Sequence, residues 1–140
     1  MAADKQLTCS DGQKLRRKKI RRVKIGQSNV LVACAGDAEA NEAFHYWLAN
    51  LDKLANQELD IHYPTKEDFH ALVLYDTGYL LWYGPKGYPV EVKDRFHGIG
   101  SGSGYALGAL HAGATIRDAI RIATKLDSNT GFGVQVEGFK

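Results

Sequence analysis

Several features are scarce in this chain, and each shortage closes a class of explanation. No apolar stretch approaches the roughly 20 residues that span a bilayer, and the first residues lack the ordered charged, apolar and small-residue regions of a secretory signal. A cytoplasmic protein is therefore expected. Only two of the 140 residues are cysteine, Cys9 and Cys34, far apart and without Cys-x-x-Cys or Cys/His spacing. That argues against a zinc site and a disulfide framework, and leaves buried free thiols as the expected state. His45, His62, His70, His97 and His111 show no metal-ligand spacing and are expected to be structural or exposed. The chain has no internal repeat and no linker. Charge of one sign is scarce too: 18 basic against 16 acidic residues leave a net charge of +2, whereas a general nucleic-acid binder is more often basic throughout. A composition of 44% hydrophobic and 24% charged residues excludes disorder and collagen-like structure, and 140 residues suit one domain covering 1–140.

What is present begins with KLRRKKIRRVK, residues 14–24, which holds eight of the 18 basic residues in eleven positions. Such a run invites a nucleic-acid reading, because cationic side chains bind phosphates. Its pattern points elsewhere. Ile20, Val23 and Ile25 interrupt the cations, the turn signal Gly26-Gln27-Ser28-Asn29 follows, and Val30 to Cys34 is apolar on both faces. Two strands joined by a hairpin are expected, the second of them central. The cations then line a solvated strand face.

Residues 35–55 place Ala40, Phe44, Trp47, Leu48, Leu51 and Leu54 near helical spacing, and a helix is expected there. A polar connection covers 56–68. Ala71–Tyr75, Leu80–Tyr83 and Val90–Val92 read as short strands of a meander, separated by Asp76-Thr77-Gly78 and Gly84-Pro85-Lys86-Gly87. The aromatic residues around 79–83 alternate as the two faces of a strand would. The glycine-rich FHGIGSGSG leads into a small-residue helix ending at Gly113, a second helix spans Thr115–Leu126, and a last strand covers Gly133–Phe139. GIGSGSGYAL fits neither nucleotide-binding glycine signature nor the G-x-S-x-G elbow, so a strand-to-helix turn is the plainer reading. Sheets covered by helices account for this order.

MAADKQLT, the KKIRRV run, CAGDAEANEAF, GIGSGSGYALGAL and ATKLDSNTGFGVQV, in this order and spacing, resemble the proteasome-type peptidases, and especially their bacterial HslV-like branch. The resemblance covers nearly the whole chain from Met1 to Phe139. It implies an α+β fold, the four-layer αββα sandwich of the N-terminal nucleophile hydrolases, with the first strand missing. It implies a subunit of a self-compartmentalising protease, a homo-oligomeric double ring acting on peptides or unfolded protein, in some members with an ATP-dependent unfoldase. No cofactor, metal or membrane is implied, and nucleic acid is not among the expected partners.

Matched position by position, Asp4 is the carboxylate that holds the family's catalytic lysine, and Lys19 is that lysine. Thr8 falls where a residue hydrogen-bonds the substrate backbone, and Gly36 where a backbone N–H forms the oxyanion hole. Ser101, Asp127 and Thr130 match the residues that orient the nucleophile's amine and a proton-shuttling water, with Thr130 replacing the usual serine. Taken singly, these residues have plainer readings: Asp4 as a surface partner of Lys5 or Arg21, Asp127 as a helix-end cap or Asx turn. Together, at this spacing, they favour a site. The departure is the nucleophile. Family members use an N-terminal threonine whose own amine is the base, and the 140 residues contain no such strand, while Thr8 and Cys9 are internal and have no free amine. A start assigned at an internal methionine is the preferred expectation. A noncatalytic ring subunit, and nucleic-acid binding through residues 14–24, are the alternatives.

Overall fold

A computed structural model of the chain describes residues 1–58 and 61–140; positions 59 and 60, inside the connection expected over 56–68, lie outside the described residues. In chain order the elements are β1 (Ala2–Asp4), β2 (Gln6–Thr8), β3 (Lys14–Arg16), β4 (Ile20–Ile25), β5 (Ser28–Ala35), α1 (Ala38–Ala49), α2 (Leu51–Ala55), β6 (His70–Tyr75), β7 (Leu80–Tyr83), β8 (Pro89–Glu91), α3 (Ser103–His111), α4 (Ile116–Leu126) and β9 (Val134–Val136). They fall into two compact units, one of residues 1–20 and 94–140, the other of residues 21–93.

The second unit is built on a sheet of order β4-β5-β6-β7-β8. Gly26, with φ +55°, and Gln27 form the two-residue turn between β4 and β5, where positive φ matches the twist of a tight hairpin. In β5 the residues Val30 to Cys34 are all buried, as expected for a strand with neighbours on both sides. Antiparallel pairing then runs through β8, with Val32 opposite Val73 and Val73 opposite Leu81. The helix expected over 35–55 is two helices. Asp37 caps α1 by accepting from the Ala40 N–H at 2.8 Å, Ala40, Phe44 and Leu48 recur every four residues on its buried face, and the helix stops at Asn50. Phe44 and Phe69 have no exposed surface. The Phe44 ring lies 5.2 Å from those of Phe69 and Tyr83, in the edge-on or tilted contacts that aromatic quadrupoles favour. In β7, Tyr83 faces this core while Trp82 points the other way and stacks on His70.

In the first unit, β1 pairs with β9 and β2 pairs with β3, each as an antiparallel two-stranded ribbon. Helix α3 packs on α4 through Ala106, Ala119 and Ala123, small residues that allow close approach. Thr115 caps α4 by accepting from the Asp118 N–H at 3.1 Å.

The expected four-layer αββα sandwich lacking a first strand is corrected by this arrangement. The described residues form an α+β fold with one five-stranded sheet, four helices and two short ribbons. The physical reason lies in the first twenty residues: β1, β2 and β3 are three residues each, and β3 is exposed throughout, so they pair as ribbons and do not extend into a second large sheet. Two smaller differences concern β8 and β9, which begin at Pro89 and Val134 and are shorter or shifted relative to the expected Val90–Val92 and Gly133–Phe139. Of the two free cysteines, Cys34 is buried but Cys9 is only partly so.

Candidate functional site

Asp4 ends β1 with only 8% of its surface exposed. Burying a carboxylate is costly unless its oxygens are paired, and both are. Oδ1 accepts from Lys19 Nζ at 2.7 Å, and Oδ2 accepts from the backbone N–H groups of Gln6 at 2.9 Å and Gly131 at 3.0 Å. Lys19 lies between β3 and β4, with its side chain about one quarter exposed. Its ammonium is thus directed inward while staying within reach of water.

The loop 127–131, which follows α4, gathers the remaining groups. Asp127 Oδ2 accepts from Ser101 Oγ at 2.6 Å and from Thr130 Oγ1 at 2.5 Å. Asp127 Oδ1 accepts from the Asn129 N–H at 3.2 Å, which closes an Asx turn. Burial pushes the Asp127 carboxyl up, but the hydrogen bonds from Ser101, Thr130 and Asn129, helped by the Lys19 charge, outweigh that effect and hold it below its ordinary value. Asp127 is therefore an anion at neutral pH. One consequence is chemical: Ser101 and Thr130 each spend their single O–H on Asp127, so the hydroxyl oxygens can only accept from a further group. An amine or ammonium is such a group.

Of the residues expected to form a site, Asp4, Thr8, Lys19, Ser101, Asp127 and Thr130 all belong to the first unit. Asp4 and Lys19 are in direct contact, Ser101, Asp127 and Thr130 form a second cluster, and the loop 127–131 joins the two by donating from Gly131 to Asp4. Thr8 is exposed at the end of β2, and its hydroxyl accepts from Gln6 Nε2 at 3.1 Å. Gly36 belongs to the second unit. Its φ of +98° is left-handed, and a Cβ there would lie 2.1 Å from the Asp68 carbonyl oxygen, so the backbone alone demands glycine at this position.

Sequence reasoning missed Gln6, Gly102, Gly131 and Gln135. Gln6 is 6% exposed, and its amide nitrogen donates to Thr8 Oγ1 and, at 2.9 Å, to the Ser128 carbonyl, tying β2 to the loop. A Cβ on Gly102 would sit 2.6 Å from Thr130 Oγ1 and 3.3 Å from Asp127 Oδ2, and one on Gly131 would sit 2.5 Å from Gln6 Oε1. These two glycines leave room for the polar groups. The available signal was alternation: Asp4, Gln6 and Thr8 fall on one face of an extended segment.

The basic run is largely engaged within the chain. Lys14 Nζ donates to the Ser128 carbonyl at 2.9 Å, the Arg16 guanidinium lies 5.7 Å from the Phe132 ring centroid, Lys19 meets Asp4, and Arg21 pairs with Glu42. No helix among the described residues is long and apolar enough to cross a membrane.

No protein-family model matches the chain, and no curated protein matches it. Solved structures do. BPH from Thiobacillus denitrificans is 22% identical with a TM-score of 0.64, the match covering 96% of this chain and 88% of that one. Anbu from Yersinia bercovieri, described as an ancestral β-subunit, is 11% identical with a TM-score of 0.68, covering 95% of this chain and 73% of that one. The Anbu complex from Pseudomonas aeruginosa, described as a helical assembly, is 11% identical with a TM-score of 0.65, with the same coverages of 95% and 73%. The chain shares the fold of these proteins. The HslV-like branch expected from the sequence is thereby corrected: the matching structures are Anbu and BPH. Motifs such as CAGD and GSGSG mark turns and close approaches that the fold itself requires, as at Gly36 and Gly102, and so do not distinguish one branch from another.

Proposed function

We propose that the chain is a proteasome-like subunit, and that the cluster of Asp4, Lys19, Ser101, Asp127 and Thr130 supports peptide-bond hydrolysis by an N-terminal threonine lying outside these 140 residues. The likeness in fold to an ancestral β-subunit supports the first part. The observation that carries the second is the pair of hydroxyls that donate to one carboxylate and present their oxygens as acceptors. That arrangement suits a terminal amine, which Ser101 and Thr130 would orient while Asp127 offsets the charge it gains on taking a proton.

In the proposed reaction the threonine hydroxyl attacks the scissile carbonyl and its amine takes the proton, directly or through water. The Lys19 ammonium, fixed by Asp4, keeps the local potential positive and lowers the proton affinity of neighbouring groups. Thr8, exposed at the end of β2, would hydrogen-bond the substrate backbone. The protonated amine then gives its proton to the departing substrate amine as the peptide C–N bond breaks, and water hydrolyses the resulting threonine ester, releasing the acyl part as a carboxylic acid and restoring the hydroxyl. Only residues of the first unit carry this reading, and the two units are taken as parts of one proteasome-like domain. Copies of the chain are proposed to assemble with one another, as the Pseudomonas aeruginosa Anbu complex does in its helical assembly.

Mass spectrometry of the amino-terminal peptide of the endogenous protein tests this. A mature terminus at a threonine supports the peptidase. A terminus at Met1 or Ala2 removes the nucleophile and leaves a noncatalytic subunit of the same fold.

A further inference from the structure

Lys19 is held at one end by Asp4, but its backbone lies where no strand supports it. Strand β3 ends at Arg16 and β4 begins at Ile20, so the Lys19 N–H falls in the gap between the two strands and the Ile20 N–H at the first residue of β4. A buried N–H left unpaired carries the full cost of its lost hydration. Both are satisfied by one side chain from the far end of the sequence. Gln135 Oε1 accepts from the Lys19 N–H at 2.9 Å and from the Ile20 N–H at 3.0 Å. Gln135 Nε2 donates to the Ile20 carbonyl at 2.9 Å and to Glu137 Oε1 at 3.3 Å.

These four bonds use the full capacity of a primary amide, two acceptor sites and two donors. The orientation is set by chemistry, because the reversed amide would place its NH2 against two N–H donors. With only 6% of its surface exposed, Gln135 has little water to turn to instead. By engaging both the N–H and the C=O of Ile20, the side chain does the work of a neighbouring strand. The placement is specific as well: Gln135 lies opposite Ala3 in the β1–β9 ribbon, next to Asp4 opposite Val134. Neighbouring positions of one ribbon therefore hold Lys19 at its two ends, the carboxylate at the ammonium and the amide at the backbone.

We propose that Gln135 is a positioning residue that splints the Lys19–Ile20 backbone and so sets where the Lys19 ammonium meets Asp4; its catalytic consequence rests on the hydrolytic reading of this site. The Lys19 side chain is long and flexible, with many rotamers open to it. An ammonium tethered only at its tip would wander with its backbone. With both ends fixed, its charge has one place. No other side chain of this length offers the set: glutamate lacks the donor for the Ile20 carbonyl, and methionine fills the space with no polar group.

The test compares the native full-length protein with Gln135→Met and Gln135→Glu by competitive labelling of lysine amines, read by mass spectrometry against exposed Lys125 as internal reference. Amide exchange at Lys19 and Ile20 is followed in parallel. Gln135→Met is expected to raise Lys19 labelling severalfold, to expose both amides to exchange, and to lower kcat for peptide cleavage on the order of tenfold to a hundredfold at unchanged KM, as a misplaced group does. A folded Gln135→Met protein with wild-type labelling at Lys19 overturns the proposal. Should that variant not fold, Gln135→Glu decides. It keeps both acceptor contacts but sets a carboxylate against the Ile20 carbonyl and Glu137, so Lys19 labelling should rise at neutral pH and fall back as the new carboxyl is protonated. Unchanged labelling in that variant overturns the proposal. Failure of the hydrolytic reading is seen separately, as cleavage that survives Lys19→Ala, and leaves the labelling result to judge Gln135.

Discussion

At Asp127 the balance of forces can be read from acid titration. Its carboxyl is held below the ordinary value of 3.8, so the folded form binds a proton less readily than the unfolded one. The contribution to stability is fully present above that value and is lost as pH falls through the folded pKa. Acid unfolding of Asp127→Asn should therefore be less steep below pH 3.8 than that of the parent chain; superimposable profiles would show that the hydroxyl contacts do not favour the anion. Two glycines give a sharper contrast. Gly102→Ala places a methyl 2.6 Å from Thr130 Oγ1 and should push that hydroxyl off Asp127, at a cost of about 1–3 kcal/mol in thermal or denaturant unfolding. Gly36→Ala meets a fixed backbone oxygen and a left-handed φ together, and should cost about 2–4 kcal/mol. Gly36 would be needed by the fold whatever chemistry it serves. Asp4, Lys19, Ser101, Asp127 and Thr130 were singled out through the resemblance of the motifs that hold them, since taken singly each has a plainer reading. Gln135 was not, because a glutamine in a strand looks like any surface residue until its partners, more than a hundred positions away, are known; for Gln6 the alternation with Asp4 and Thr8 was the one hint.

Among the elements, those with a periodic pattern were the legible ones. An apolar run flanked by turn residues gave β5, and helical spacing gave α1, though not the stop at Asn50. The ribbon β1–β9 could not be seen, since three-residue strands at opposite ends of a chain carry no period. The sheet and α1 share a core centred on Phe44, and Phe44→Ala should cost about 3–5 kcal/mol, measured by denaturant unfolding. The tyrosines of that core offer a second test. Burial, with neighbouring Tyr75 and Tyr79 adding to it, pushes Tyr83 up to about 12. Burial, with Tyr83 and Cys34 adding to it, pushes Tyr63 up as well. A raised folded pKa favours the neutral form in the folded state. Stability is thus fully present below the unfolded tyrosine value of 10 and declines as pH rises through the folded value of about 12. Ultraviolet titration of the seven tyrosines should show a late-ionising group that becomes accessible only with alkaline unfolding; a single early transition would argue against this core.

For the molecule as a whole, the two units divide the expected site. The first contains every polar group on which the proposed chemistry rests, and the second contains the large sheet. From β4 onward the order of elements was legible apart from the break between α1 and α2, but the layering was not, because sequence patterns report which face of a strand is apolar and do not report how short strands pair. Likeness to Anbu and BPH at 11–22% identity fixes the fold and leaves the chemistry to direct measurement. The most direct one is peptide cleavage by the native protein and its Lys19→Ala variant, with cooperative unfolding checked in both. Cleavage that falls at least about a hundredfold in the folded variant is the predicted result, the scale on which a positioned proton-transfer or charge-stabilising group acts. Cleavage retained by folded Lys19→Ala would contradict the assignment of this cluster as the support of a hydrolytic site.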